Sequence, residues 1–139
     1  PGAMENAPAQ RQARHPLLQA LVATGGRSPL WRFVGMLIDL GAAMTRSLAP
    51  PRLLPDGTAV VQAVRGSYFL RIGQRDGRAT DLHRITPSDH QLAPNGPLEL
   101  ALRTIPGNRP DLAARLVALL DPCIPVTVHS LAAVGGQHA

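Results

Sequence analysis

Residues 58–85, "TAVVQAVRGSYFLRIGQRDGRATDLHRI", carry the pattern that decides the fold class. Short runs rich in β-branched and aromatic residues predict three strands, over residues 58–64, 67–72 and 79–85. Arg65-Gly66 interrupts the first two runs, and Asp76-Gly77 is a dipeptide typical of a two-residue hairpin turn. The stretch therefore predicts an antiparallel meander.

Helical patterns precede this meander. Residues 16–24 form a short amphipathic stretch that stops at Gly25-Gly26, and residues 30–48 form a longer apolar one. Ser28 is suited to cap this second helix, with Pro29 at its first helical position. We expect the helix to bury one apolar face, widened by Trp31 and Met36, that consists of Leu30, Phe33, Val34, Leu37, Ile38 and Gly41. The polar residues 4–14 are predicted to fray.

Several prolines lie in the chain after the meander. The patterns there predict a loop over residues 86–97, a short helix over 98–104, a last helix from Pro110 with Asn108 as its cap, and a final strand over 124–132. Pro122 closes the last helix, because proline cannot continue the backbone hydrogen bonding.

Helices on both sides of a small sheet predict the α+β class. The expected architecture is a small antiparallel sheet, a meander plus a C-terminal strand, packed by several helices. The length of 139 residues suits a single domain, which we assign to residues 4–139. Residues 1–3, Pro-Gly-Ala directly before Met4, are typical of an expression-tag remnant.

The formal net charge is +5, and the charged basic residues are all arginine because the chain has no lysine. The arginines are scattered along the chain and aromatic residues are few, so nucleic acid is not an expected partner. No apolar run approaches the ~20 residues that cross a bilayer, and the early chain lacks a signal-peptide pattern. A cytoplasmic protein without a membrane partner is therefore expected.

Cys123, within "LLDPCIPVTVH" at residues 119–129, is the one cysteine of the chain. It excludes an intramolecular disulfide and a metal site built on a Cys-x-x-Cys pair. A thiolate is a soft ligand for iron or nickel, so Cys123 is a candidate metal ligand. The alternative is a cysteine that only packs.

Four ordered segments resemble the C-terminal part of the large subunit of nickel-iron hydrogenases. They are "AVRGSYFLRIGQRDGRATDLHRI" (63–85), "ITPSDHQLAPNGPL" (85–98), "LELALRTIP" (98–106) and "DPCIPVTVH" (121–129). The last segment resembles the family's terminal Asp-Pro-Cys-x-x-Cys-x-x-His motif. The resemblance covers about half of the chain and implies the fold of that region.

The resemblance also implies roles for individual residues. Cys123 takes the place of a terminal nickel ligand, while Val126 stands where the family has its second cysteine. Arg65 matches the arginine whose guanidinium lies over the metal pair. Ser88 replaces a threonine in the loop that faces the cyanide ligands, and its hydroxyl can also donate. His129 aligns with a histidine that binds structural magnesium, although a packing or surface role is expected here.

The family's Arg-x-Cys-Gly-x-Cys motif is missing, so this chain cannot assemble the bimetallic centre and is not expected to be an enzyme. Asp89 and His90 also depart from the family pattern, and an exposed pair is expected for them. An alternative is that His90 and Cys123 form a mixed-ligand site.

The loss of ligands from a large-subunit-like chain resembles the HupK/HoxV-type accessory proteins, which are implicated as scaffolds for assembling the iron-cyanide-carbonyl unit. The implied function is a non-catalytic maturation scaffold that holds this unit transiently at Cys123, with Arg65 and Ser88, and has no tightly bound cofactor. The implied partners are hydrogenase maturation proteins and the large subunit, and a homodimer is left open. The alternative is a metal-free docking module that binds maturation chaperones.

Overall fold

A computed structural model describes residues 3–129 of the chain. In this part the strands are β1 (Arg52–Leu53), β2 (Ala59–Ala63), β3 (Gly66–Arg75) and β4 (Arg78–Ile85). The helices are α1 (Pro8–Arg11), α2 (Pro16–Gly25), α3 (Pro29–Met44), α4 (Pro87–Gln91), α5 (Pro97–Leu102) and α6 (Asp111–Leu120). No helix among the described residues is long and apolar enough to cross a membrane.

The four strands form one antiparallel sheet in the order β1-β2-β3-β4. This meander confirms the α+β class and the three predicted strands, and it adds the two-residue β1. Asp76 and Gly77 both have positive φ angles, 52° and 73°. These are the angles of a type I′ turn, which matches the twist of paired strands and explains why the hairpin forms at this dipeptide.

The predicted C-terminal strand is wrong for residues 124–129, which join no strand of the sheet. Pro122 and Pro125 lack the backbone N–H that a strand pairing needs. The residues just before this segment, Leu120 to Cys123, are instead hydrogen-bonded to α4 and to the β2–β3 turn. Residues 130–132, the remainder of the predicted strand, lie outside the described residues.

The N-terminal segment packs against the rest of the fold, so the prediction that residues 4–14 fray is wrong. The Asn6 side chain exchanges two hydrogen bonds with the backbone of Ser67, at 2.8 and 2.9 Å. Glu5 forms an ion pair with Arg32, and both side chains are about nine-tenths buried. Polar residues are held here because each has a partner far along the chain, which local sequence patterns do not show.

The main apolar cluster joins α1, α2 and α3 through Ala9, Leu18 and Trp31, which are fully buried. Gly35 on α3 faces Ala9 so closely that a side chain at residue 35 would overlap with α1. A second cluster joins α5 and α6 through Ala101, Leu116 and Leu120.

The predicted buried face of α3 is mostly wrong. The residues of α3 that are buried are Trp31, Arg32, Gly35 and Asp39. Of the predicted face, Val34 and Ile38 pack against the core, whereas Leu30, Phe33 and Leu37 are 57%, 46% and 54% exposed. The helix turns this way because α1 and α2 cover the tryptophan side. The N-terminal segment also supplies Glu5 as the partner of the buried Arg32 and Arg11 as the partner of the buried Asp39.

Two helix starts differ from the prediction. The loop predicted at 86–97 contains α4, which begins with a capping box between Thr86 and Asp89. Asn108 does not cap α6, whose N-cap is Pro110 without a side-chain hydrogen bond.

An ion pair lies at the start of α6 instead. The Arg109 guanidinium donates two hydrogen bonds of 2.9 Å to Asp111 in the first turn and lowers the pKa of that carboxyl below its usual range.

Candidate functional site

The candidate site forms where α6 ends. Asp121, the C-cap, adopts a left-handed conformation with φ 44° and ψ 56°, and its N–H donates to the carbonyl of Val117 at 3.0 Å. Pro122 follows and cannot continue the helix. The chain therefore turns sharply over residues 121–123, and Cys123 emerges exposed as a free thiol.

Helix α4 holds this turn from one side. Ser88 Oγ accepts the backbone N–H of Cys123 at 2.9 Å, and Gln91 Nε2 donates to the carbonyl of Leu120 at 2.9 Å. Ser88 and Gln91 are each only 3% exposed. Two hydrogen bonds from buried groups therefore fix the backbone on both sides of Asp121.

Arg65 reaches the same turn from the sheet. It lies in the tight connection between β2 and β3, and its Nε donates to the carbonyl of Asp121 at 2.6 Å and lies 2.8 Å from the Asp121 carboxylate. The Arg65 and Asp121 side chains are 40% and 53% exposed, so solvent screens the pair and its contribution to stability is small. The terminal guanidinium nitrogens of Arg65 make no hydrogen bond within residues 3–129, so within this range they can donate to a ligand.

The position of Arg65 depends on the N-terminal segment. Arg11 donates to the carbonyls of Ala63 and Gly66, at 2.7 and 2.9 Å, on either side of the β2–β3 turn. The same guanidinium pairs with the buried carboxylate of Asp39 on α3, at 3.0 Å from Nε to Oδ1. One side chain thus connects α1, α3 and the turn that carries Arg65.

Gly66 allows this packing. Its φ is +143°, and a Cβ at residue 66 would overlap with the backbone oxygen of Asn6. The role is conformational, because a residue without a side chain lets the N-terminal segment lie directly against the start of β3.

The structure brings Cys123, Arg65 and Ser88 to one turn, although they are far apart in sequence. The oxygen of Ser88 is occupied as an acceptor, which leaves its hydroxyl hydrogen to donate. Asp89 is exposed and caps α4, but His90 is 6% exposed, so the expectation of an exposed Asp89–His90 pair is wrong. His90 faces inward because α4 packs its Pro87, Ser88, His90 and Gln91 side into the fold.

Three residues that complete the site were missed or assigned other roles by the sequence reasoning. Asp121 stands next to the helix end predicted at Pro122, Gln91 lies in a predicted loop, and Arg11 lies in the segment predicted to fray. Their partners are 29 to 56 residues away in the chain. No local pattern reports contacts of this kind.

A cavity of about 400 Å³ adjoins the turn. Its walls come from α1, α3, the β2–β3 turn and the end of α6, and they include Met36, Leu37, Leu40, Ala43, Leu48, Val64, Leu119 and Leu120. Arg65, Gln91 and Asp121 line it as well, whereas Ser88 and Cys123 do not. The cavity is therefore a largely apolar groove that ends beside the candidate site.

Within residues 3–129 no three His, Cys, Asp or Glu side chains are grouped as a metal site. Within this range a metal at Cys123 would therefore find at most one further ligand of these four residue types.

No protein-family model and no solved structure match the chain. The hydrogenase expression/formation protein HupK of Rhodobacter capsulatus is 44% identical over 132 residues, which are 94% of this chain and 44% of HupK. The chain thus spans less than half the length of that relative. Over the 132 matched residues the chain is therefore related to HupK, a protein named for hydrogenase expression and formation.

Proposed function

We propose that the chain is a non-catalytic scaffold in nickel-iron hydrogenase formation, which holds an iron-cyanide-carbonyl unit briefly and passes it on. The similarity to a protein named for hydrogenase expression and formation supports a role in hydrogenase formation. The proposed setting is the cytoplasm, and the proposed partners are hydrogenase maturation proteins and the large subunit.

The observation that carries the proposal is the meeting of Arg65, Ser88 and Cys123 at the turn after α6. Cys123 would bind the iron through its thiolate. Because the thiol is exposed and the turn around it is held by buried hydrogen bonds, the ligand is accessible while its backbone stays in place.

The two neighbours would recognise the diatomic ligands. Cyanide nitrogens carry negative charge and accept hydrogen bonds. Such a hydrogen bond is stronger when the donor is an arginine, because the guanidinium is charged. The terminal nitrogens of Arg65 are the exposed donors near Cys123, whereas the hydroxyl of Ser88, a residue only 3% exposed, would donate from the buried side of the turn. One metal–protein bond suits a transient hold, since only that bond must break when the unit leaves.

The test is hydrogenase activity in cells that depend on this chain for hydrogenase formation. We expect Cys123→Ser to reduce the activity at least about tenfold at equal protein level, since the alcohol is a poor ligand for this iron. Ile124→Ala is the matched control, because Ile124 is the next residue and is 52% exposed, and it should leave activity unchanged.

A second candidate function is a metal-free docking module for maturation chaperones. The apolar groove beside Arg65 and Asp121 favours it, because an apolar groove can accept an amphipathic segment of a protein partner. It predicts that Cys123→Ser leaves hydrogenase activity unchanged, whereas substitutions in the groove reduce it. The same cell assay therefore separates the two candidates.

A further inference from the structure

Helix α3 presents a line of exposed apolar side chains. We define the α3 stripe as Leu30, Phe33, Leu37, Leu40 and Met44, which are 57%, 46%, 54%, 57% and 78% exposed. We propose that the stripe and the groove beside it dock an amphipathic helix of a partner protein, and that this helix carries acidic residues near both of its ends. This proposal does not depend on a metal role for Cys123.

The spacing of the stripe matches a partner helix. Its members are separated by three, four, three and four residues, which is the heptad spacing that lines up the contact positions between two packed helices. Over fourteen residues the stripe extends about 21 Å, the length of roughly four helical turns. Contiguous exposed apolar side chains of this extent are typical of interaction surfaces.

The shape of the surface also favours a helix. Leu37 and Leu40 of the stripe line the 400 Å³ groove, together with Val64 of the β2–β3 turn and Leu119 of α6. Val64 is 83% exposed at the tip of the β2–β3 turn. A groove with such walls accepts side chains from one face of a helix, whereas a membrane surface would be flat.

The charges argue for an acidic partner and against a second copy of this chain. The α3 residues that flank the stripe are uncharged, namely Pro29, Val34, Met36, Gly41 and Ala43. Arg27 and Arg46 lie just beyond its two ends, and neither forms an ion pair within the described part of the chain. Two copies paired along the stripe would bring these arginines together in either orientation, whereas acidic residues on a partner would complement them.

The probe is a labelled 21-residue synthetic helix with leucine at the heptad contact positions and glutamate near both ends, where Arg27 and Arg46 would lie. Its binding to the 139-residue chain is measured by fluorescence anisotropy. We expect Leu37→Asp and, as a milder second variant, Leu40→Ser to weaken binding, the former at least about tenfold. Leu82→Asp, at a 63% exposed residue of β4, is the matched control and should bind like wild type.

A second peptide with lysine in place of every glutamate tests the charge argument. It should bind at least about tenfold more weakly at low ionic strength, and salt should narrow the difference because exposed charges are screened. Circular dichroism establishes that each variant is folded before binding is compared.

Four results would overturn the proposal. They are no binding of the acidic peptide, equal binding of both peptides, a dimer of the chain alone that Leu37→Asp disperses in light scattering, and binding to phosphatidylglycerol vesicles that the same substitution abolishes. The third result would assign the stripe to a second copy, and the fourth would assign it to a membrane surface.

Discussion

The Ser88 hydroxyl oxygen accepts a hydrogen bond from the backbone of Cys123, and this role does not require any ligand. The resemblance to hydrogenase large subunits predicted Ser88 near the cyanide ligands, and its oxygen accepts the Cys123 N–H. The hydrogen bond ties a buried residue of α4 to an exposed thiol. Sequence reasoning selected Ser88 and Cys123 through motif positions, but it could not show that a hydrogen bond joins them, because they are 35 residues apart.

Ser88→Ala should therefore destabilise the fold and loosen the turn at the same time. We expect a loss of about 1 kcal/mol in the free energy of unfolding, the typical worth of one hydrogen bond. Urea denaturation measures this loss, and thiol-reagent kinetics should show faster modification of Cys123 under native conditions. Ser47→Ala, at an exposed serine near the end of α3, is the control and should change neither quantity. An unchanged thiol rate in Ser88→Ala would mean that the bond does not restrain Cys123.

At the scale of elements, the three strands of the meander followed local sequence signals, whereas the predicted C-terminal strand and the orientation of α3 did not. The hairpin at Asp76-Gly77 was predictable because a positive φ at both residues selects this dipeptide. Helix α3 carries apolar residues on more than one side, so its periodicity does not decide which side is buried. The choice is made by α1 and by the partners it supplies to Asp39, all distant in sequence.

Arg11→Ala should be among the most destabilising polar substitutions in the chain. Arg11 and Asp39 are 12% and 8% exposed, so removal of the arginine leaves a buried carboxylate without its charged partner. The expected loss is about 3 kcal/mol or more in the free energy of unfolding, measured by urea denaturation. Arg103→Ala, which breaks an exposed pair with Glu99, is the control and should cost less than about 1 kcal/mol. Equal losses in the two variants would contradict the anchoring role of Arg11.

At the scale of the whole molecule, the candidate site depends on three parts of the chain. The N-terminal segment positions the β2–β3 turn through Arg11, the turn presents Arg65, and α4 fixes the end of α6. The fold class could be predicted because strand and helix periods are local. The assembly of the site could not, because it rests on hydrogen bonds between residues that only the folded chain brings together.

The groove and the turn lie side by side on this framework. Arg65 and Asp121 line the groove and also contact each other at the turn, so a partner helix in the groove would lie next to these two residues, of which Asp121 is two positions before Cys123. A scaffold that passes on a metal unit needs its partner at such a position. This arrangement connects the proposed docking surface with the proposed cargo site.

The most direct test is infrared spectroscopy of the chain, produced together with the hydrogenase maturation machinery and purified without oxygen. We expect absorption bands of metal-bound cyanide and carbonyl in the wild type, no such bands in Cys123→Ser, and retained bands in the Ile124→Ala control. Circular dichroism establishes that the three proteins are folded. Bands that persist in Cys123→Ser, or spectra without bands in all three folded proteins, would contradict the account of Cys123 as the anchor of the iron unit.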